Sequence, residues 1–134
     1  MVVAQRPILV NRNWLPNLWG NVAAEEDKWL RINLNNVQGF QCFIDESLKP
    51  SFDALPFRQQ RRLKETFRYA LTRFDEDELT YAFDSCGLPL ARPEGNVRAF
   101  YVRIWRAMFG DEDFAQLDPT QYAEVEGPVQ SMWD

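Results

Sequence analysis

Apolar positions change their spacing along the chain, from a two-residue alternation early on to a helical composition from Ser47 onward. In Trp29–Asn35, Leu30, Ile32 and Leu34 alternate with Trp29, Arg31 and Asn33, the period of a half-buried strand. Phe40–Asp45 repeats this, with Phe40, Cys42 and Ile44 set against Gln41, Phe43 and Asp45. Asn36-Val37-Gln38-Gly39 between them reads as a hairpin loop in which Gly39 supplies a positive φ. Trp29 and Phe43 then point to a second sheet face, one that another element covers or a partner uses. Upstream, Val2–Ala4 and Ile8–Val10 are short β-rich runs, one or both of them strands, with Pro7 marking an edge or a break. Asn11–Asn21, dense in Asn with Pro and Gly, reads mostly as loop.

The helical period is carried by three segments. Pro56 sits near a first turn, and Leu63, Phe67, Ala70, Leu71 and Phe74 make one apolar stripe. Asp75 caps a shorter helix whose first turn is acidic and whose apolar face is Leu79, Ala82, Phe83 and Cys86, with Gly87 and Pro89 ending it. From Asn96 to Gly110 the chain predicts the core helix, with Asn96 as N-cap and Gly110 in the left-handed position after its end. Val97, Phe100, Tyr101, Ile104, Trp105 and Met108 share one face, Val102 and Phe109 widen it, and only Ala99, Arg103 and Arg106 stay wet. Further on, Asp111-Glu112-Asp113 is read as capping a helical turn that carries Phe114 and Leu117. Asp118-Pro119-Thr120-Gln121 is read as the capping box of a last short helix with Tyr122 and Val125 on its apolar side. Val129–Asp134 is a loose tail unless Met132 and Trp133 dock. The expected fold is α+β in a single domain, 1–134: a small N-terminal antiparallel β-sheet, made of the hairpin at about 29–45 plus one or two N-terminal strands, packed against three to five C-terminal helices.

Composition narrows function mainly by exclusion. Hydrophobic content of 46% over 134 residues is enough for a core without staples. No apolar run approaches the roughly 20 residues of a membrane span, and the start MVVAQRPILV lacks the pattern of a secretory signal, so a cytoplasmic, bacterial protein is expected. Cys42 and Cys86 are 44 residues apart and read as free thiols, a disulfide needing an oxidising compartment. The absence of histidine removes Ser-His-Asp and Cys-His activation and most zinc and iron sites. The six glycines are scattered rather than grouped for phosphate, and calcium loops begun at Asp75 or Asp111 fail at their sixth and twelfth positions, so neither cofactor, metal nor enzyme activity is expected.

Charge supplies the functional lead. Residues 1–55 carry 5 basic and 6 acidic groups, 56–110 carry 10 and 7, and 111–134 carry none and 7, for a net charge of −5. The acidic end, with Phe114, Leu117, Tyr122, Val125 and Trp133 among its members, is either a solubilising tail or a face for a basic partner. On the second reading the chain is a non-enzymatic interaction protein, most concretely an immunity or antitoxin-like inhibitor that neutralises a basic, nuclease-type toxin. Asp111, Glu112, Asp113, Asp118, Glu124 and Glu126 would stand in for phosphates, with Trp14, Trp19 or Trp133 as the anchor, although Trp14 and Trp19 equally suit lids on the core. A different class is a regulatory nucleic-acid binder using Arg58, Arg61, Arg62, Lys64, Arg68 and Arg73 of the basic helix. A third is a structural subunit of a larger assembly. Arginine outnumbers lysine twelve to three, which favours forked contacts to carboxylates and stacking on aromatic rings.

Overall fold

A computed structural model describes residues 6–20 and 26–134, and most of them are helical. Strand β1 (Ile8–Val10) leads into a 3₁₀ helix, Arg12–Trp19, followed by helices α1 (Glu26–Trp29), α2 (Val37–Phe43), α3 (Lys49–Asp53), α4 (Phe57–Arg73), α5 (Glu76–Asp84) and α6 (Val97–Phe109). A 3₁₀ turn at Pro119–Gln121, strand β2 (Tyr122–Glu124) and a second 3₁₀ turn at Val129–Trp133 follow. The two strands pair in parallel, Ile8 with Tyr122, Leu9 with Ala123 and Val10 with Glu124.

The α+β class stands in this coarse sense, with β1 where a strand is expected, but the antiparallel hairpin at 29–45 does not form. Asn36 caps a helix instead, its side chain accepting from the Gly39 N–H at 2.6 Å. The buried residues are Phe40, Phe43, Ile44, Ser47 and Leu48, a helical stripe. Within six residues the alternation Phe40, Cys42, Ile44 mimics it, and only the continuation to Leu48 separates the two periods. Leu30, on the expected inner face, is 61% exposed, while Trp29 and Leu34 are buried. Gly39 keeps a negative φ, and its role is space: a Cβ there would lie 2.0 Å from the Asn33 carbonyl oxygen. Between α2 and α3 the chain winds as a π-helix, Ile44–Leu48, with Lys49 N–H donating to the Ile44 carbonyl. The wider turn leaves room for the Pro50 ring, which lacks an N–H and would crowd the carbonyl four residues back.

The other helices follow their caps. Asp75 and Glu78 form a reciprocal capping box at α5, Asn96 accepts from Ala99 N–H at α6, and Gly110 ends α6 at φ 65°. The apolar faces expected of α4 and α5 are buried, with Cys86 half-buried just past α5, and α6 buries Val97, Phe100, Tyr101, Ile104 and Trp105. The helical turn expected at Phe114 and the last helix at Tyr122 are absent. Residues 111–118 form an irregular connection in which Trp105 Nε1 donates to the Glu112 carbonyl at 2.8 Å and Phe114 packs edge-on against Trp105. Asp118 does cap, yet only one 3₁₀ turn follows before β2 finds β1. The tail docks through Met132, which is fully buried. The expected strand Val2–Ala4 lies outside the described residues.

The core is aromatic, and its polar tips tie elements together. Trp19 packs edge-on against Phe83 (5.0 Å) and Phe67 against Trp105 (5.3 Å). Trp19 Nε1 donates to the Ala82 carbonyl at 2.9 Å, Tyr101 OH to the Leu79 carbonyl at 2.8 Å, and Trp14 Nε1 to Ser131 Oγ at 2.8 Å. These three rings strand no donor, whereas the fully buried Trp29 keeps its Nε1 without a hydrogen-bond partner among the described residues.

Candidate partner-binding groove

Where α4 hands over to α5, the 3₁₀ helix Arg12–Trp19 crosses beneath and leaves an open groove of about 400 Å³. Its floor is Pro16, Phe74 and Ala82, and its acidic wall is Asp75, Asp77 and Glu78. Tyr81 stands over it, 73% exposed. The capping geometry of α5 sets the wall: Glu78 N–H donates to Asp75 Oδ1 at 2.8 Å, fixing both carboxylates near the positive end of the helix. The α4–α5 junction is itself clamped from α6. Arg98 donates to the Leu71 and Phe74 carbonyls at 2.5 Å each and lies 3.3 Å from Glu76.

Arg12 closes one side. Asn11 is buried, its N–H donates to Thr66 Oγ1 and its side chain to the Gly127 carbonyl, so the residue after it has a fixed origin. From there Arg12 Nε donates to Glu124 Oε1 at 2.7 Å and Nη1 to Glu78 Oε2 at 2.5 Å, and its guanidinium lies 5.2 Å from the Phe74 ring centre. The hydrogen bond to Glu124, reinforced by the charges of Glu124 and Glu78, raises its pKa above the ordinary arginine value. Beyond Arg12 a second hollow of about 630 Å³ is lined by Asn11, Asn13, Glu124, Val125 and Glu126, so Arg12 and Asn13 border both acidic concavities.

The acidic residues singled out in the sequence scatter. Glu112 is taken up internally, pairing with Lys64 (2.7 Å) and Arg68 (2.5 Å), and those hydrogen bonds, Lys64 foremost, lower its pKa. Asp113 caps Ala115 N–H while its carbonyl accepts from Arg68, and Asp118 caps Thr120. Asp111 is exposed. Glu124 and Glu126 reach the groove region, as Arg12's partner and as a wall of the second hollow. Trp14 and Trp19 are buried core residues, which leaves them no surface to offer as anchors, and Trp133 is half-exposed. Half of the basic set is likewise engaged: Arg62 donates to the Met132 and Asp134 carbonyls, and Lys64 and Arg68 hold Glu112. Arg58, Arg61 and Arg73 remain exposed.

The groove residues Arg12, Phe74, Asp77 and Tyr81 were not singled out as a site by sequence reasoning, which read Asp75–Glu78 chiefly as capping. One signal was present. Tyr81 is an aromatic on the polar face of an amphipathic helix, opposite Leu79, Ala82 and Phe83. Burial first and then Glu46 push Cys42 up to about 11, and burial raises Cys86 as well, which disfavours the thiolate form of both. No helix among the described residues is long and apolar enough to cross a membrane. Comparison with protein-family models, curated proteins and solved structures finds no match to this chain.

Proposed function

We propose that the chain is a non-enzymatic protein-binding module that neutralises a basic partner, in its most concrete form an immunity or antitoxin-like inhibitor of a basic, nuclease-type toxin. The observation that carries this reading is the groove: an apolar floor, a line of carboxylates and an exposed Tyr81 at one place on an acidic molecule. An interface needs an aromatic anchor in a desolvated centre and charges at its rim, and these supply both. The anchor is Tyr81 rather than Trp14 or Trp19. The rim comprises Asp75, Asp77, Glu78, Glu124 and Glu126, while Asp111, Asp113 and Asp118 add long-range negative potential.

The test is titration against basic nuclease-type proteins, beginning with any that a neighbouring reading frame encodes. Affinity is expected to fall about tenfold or more between about 0.05 and 0.5 M salt, because screening shortens the attraction of exposed charges. Tyr81→Ala should cost about 2 kcal/mol of binding. Asp77→Asn should chiefly slow association. Affinity that is flat in salt and indifferent to both substitutions refutes the groove. A gel shift with mixed DNA and RNA at low salt, lost on replacing Arg58 and Arg61, would instead favour the nucleic-acid reading, since these two cations stand beside Phe57, itself exposed at the start of α4.

A further inference from the structure

The groove already holds a cation, and it is the protein's own. Arg12 sits between two carboxylates, Glu78 and Glu124, with its guanidinium over the Phe74 ring. This combination of a forked acceptor pair and an aromatic face suits a planar guanidinium better than a compact ammonium. The groove continues past Arg12 under Tyr81, where Asp77 lies exposed along the wall.

We propose that this groove is a guanidinium site, that an arginine side chain of a basic partner enters it over Phe74 and Tyr81, and that Arg12 is its built-in, displaceable occupant. The inference rests on the function proposed above and specifies the chemistry that the groove selects. Displacement has a low-cost route. Arg12 borders both hollows, so on yielding Glu78 it keeps Glu124 and turns toward Glu126. Its side chain is 53% exposed, and ion pairs with that much solvent hold only weakly. A ligand that must first move Arg12 binds more weakly by the fraction of molecules in which the site is open, about two- to fivefold for the one exposed pair to Glu78 that is given up.

Fluorescence anisotropy with a labelled arginine–alanine repeat peptide, and with its lysine counterpart, tests this on the full chain. Arg12→Gln should bind the arginine peptide about two- to fivefold tighter than wild type, gain less for the lysine peptide, and lose the gain when Tyr81→Ala is added. A second measurement needs no gain-of-binding variant to fold. The ¹⁵N signals of the Arg12 Nη groups in the wild-type chain, assigned with Arg12→Lys, should move toward those of a solvated guanidinium as the peptide is added, because Nη1 gives up Glu78 while Nε keeps Glu124. If the arginine peptide binds through Tyr81 and Asp77 but Arg12→Gln brings no gain and the Arg12 Nη signals stay put, the displaceable occupant is disproved while the groove survives. If neither peptide binds at low salt to either protein, the groove reading and this one fall together.

Discussion

At the residue scale, two side chains do work out of proportion to their exposure. Arg98 answers the Leu71 and Phe74 carbonyls at the end of α4, where backbone acceptors have no helical partner, and it reaches Glu76 in the first turn of α5. Arg98→Ala should cost about 1–3 kcal/mol by urea unfolding, and Arg98→Lys should recover only part of it, because one ammonium cannot reproduce the fork. Glu112 makes a pH prediction. Its folded pKa is lowered by hydrogen bonds to Lys64 and Arg68, so its contribution to stability is complete above the ordinary glutamate value of about 4.3 and disappears as pH falls through the lower folded value. The effect is small, since the glutamate is two-fifths exposed. Unfolding midpoints measured from pH 6 downward should show a shallower acid slope in Glu112→Gln than in wild type. An identical slope would mean that this pair contributes nothing. The pairing of Glu112 with α4 was not legible in the sequence: Lys64 and Glu112 are 48 positions apart, and only the folded chain brings the two charge blocks together.

At the element scale, what could be read from the sequence tracks how local the determinants are. Helices α4, α5 and α6 appear where expected because each has a long apolar stripe, and Asp75 and Asn96 are side-chain caps within three residues of the N–H groups that donate to them. The 29–45 region misled because short apolar runs satisfy both periods at once. Asn36 was the better guide, being a cap residue that the hairpin reading spent on a turn. The groove was half legible. Its acidic wall is local, but Arg12 lies 66 positions from Glu78 and 112 from Glu124, and no spacing rule links them. The start of α2 is the strictest local fit. Gly39→Ala places a methyl against the Asn33 carbonyl, which must move, and should cost about 1–3 kcal/mol, while Asn36→Ala should cost about 1 kcal/mol for the lost cap. Thermal melts of the two variants check this ordering; a Gly39→Ala variant as stable as wild type would show that the turn before α2 yields freely.

At the scale of the whole molecule, the charge asymmetry of the sequence is answered in part within the fold. The acidic segment 111–134 lies against α4, where Lys64 and Arg68 meet Glu112 and Arg62 meets the backbone at Met132 and Asp134. Two kinds of interaction hold it, and their magnitudes decide which dominates. The exposed pairs contribute roughly 0.2–1 kcal/mol each and fade with salt. Fully buried Met132, with Trp14 bonded to Ser131 beside it, is of the class whose truncation to alanine costs about 2–5 kcal/mol. The segment is therefore seated by apolar contact and only aligned by charge. Raising salt to about 1 M should leave it in place, whereas Met132→Ala should lower stability by about 2–5 kcal/mol and speed amide exchange at β2 and the β1 edge it pairs with. With the segment loosened, Arg62, Lys64 and Arg68 lose their covers, so Met132→Ala should also bind nucleic acid at low salt more strongly than wild type. Exchange that accelerates in high salt but not in Met132→Ala would reverse the ranking and make the segment an electrostatic strap.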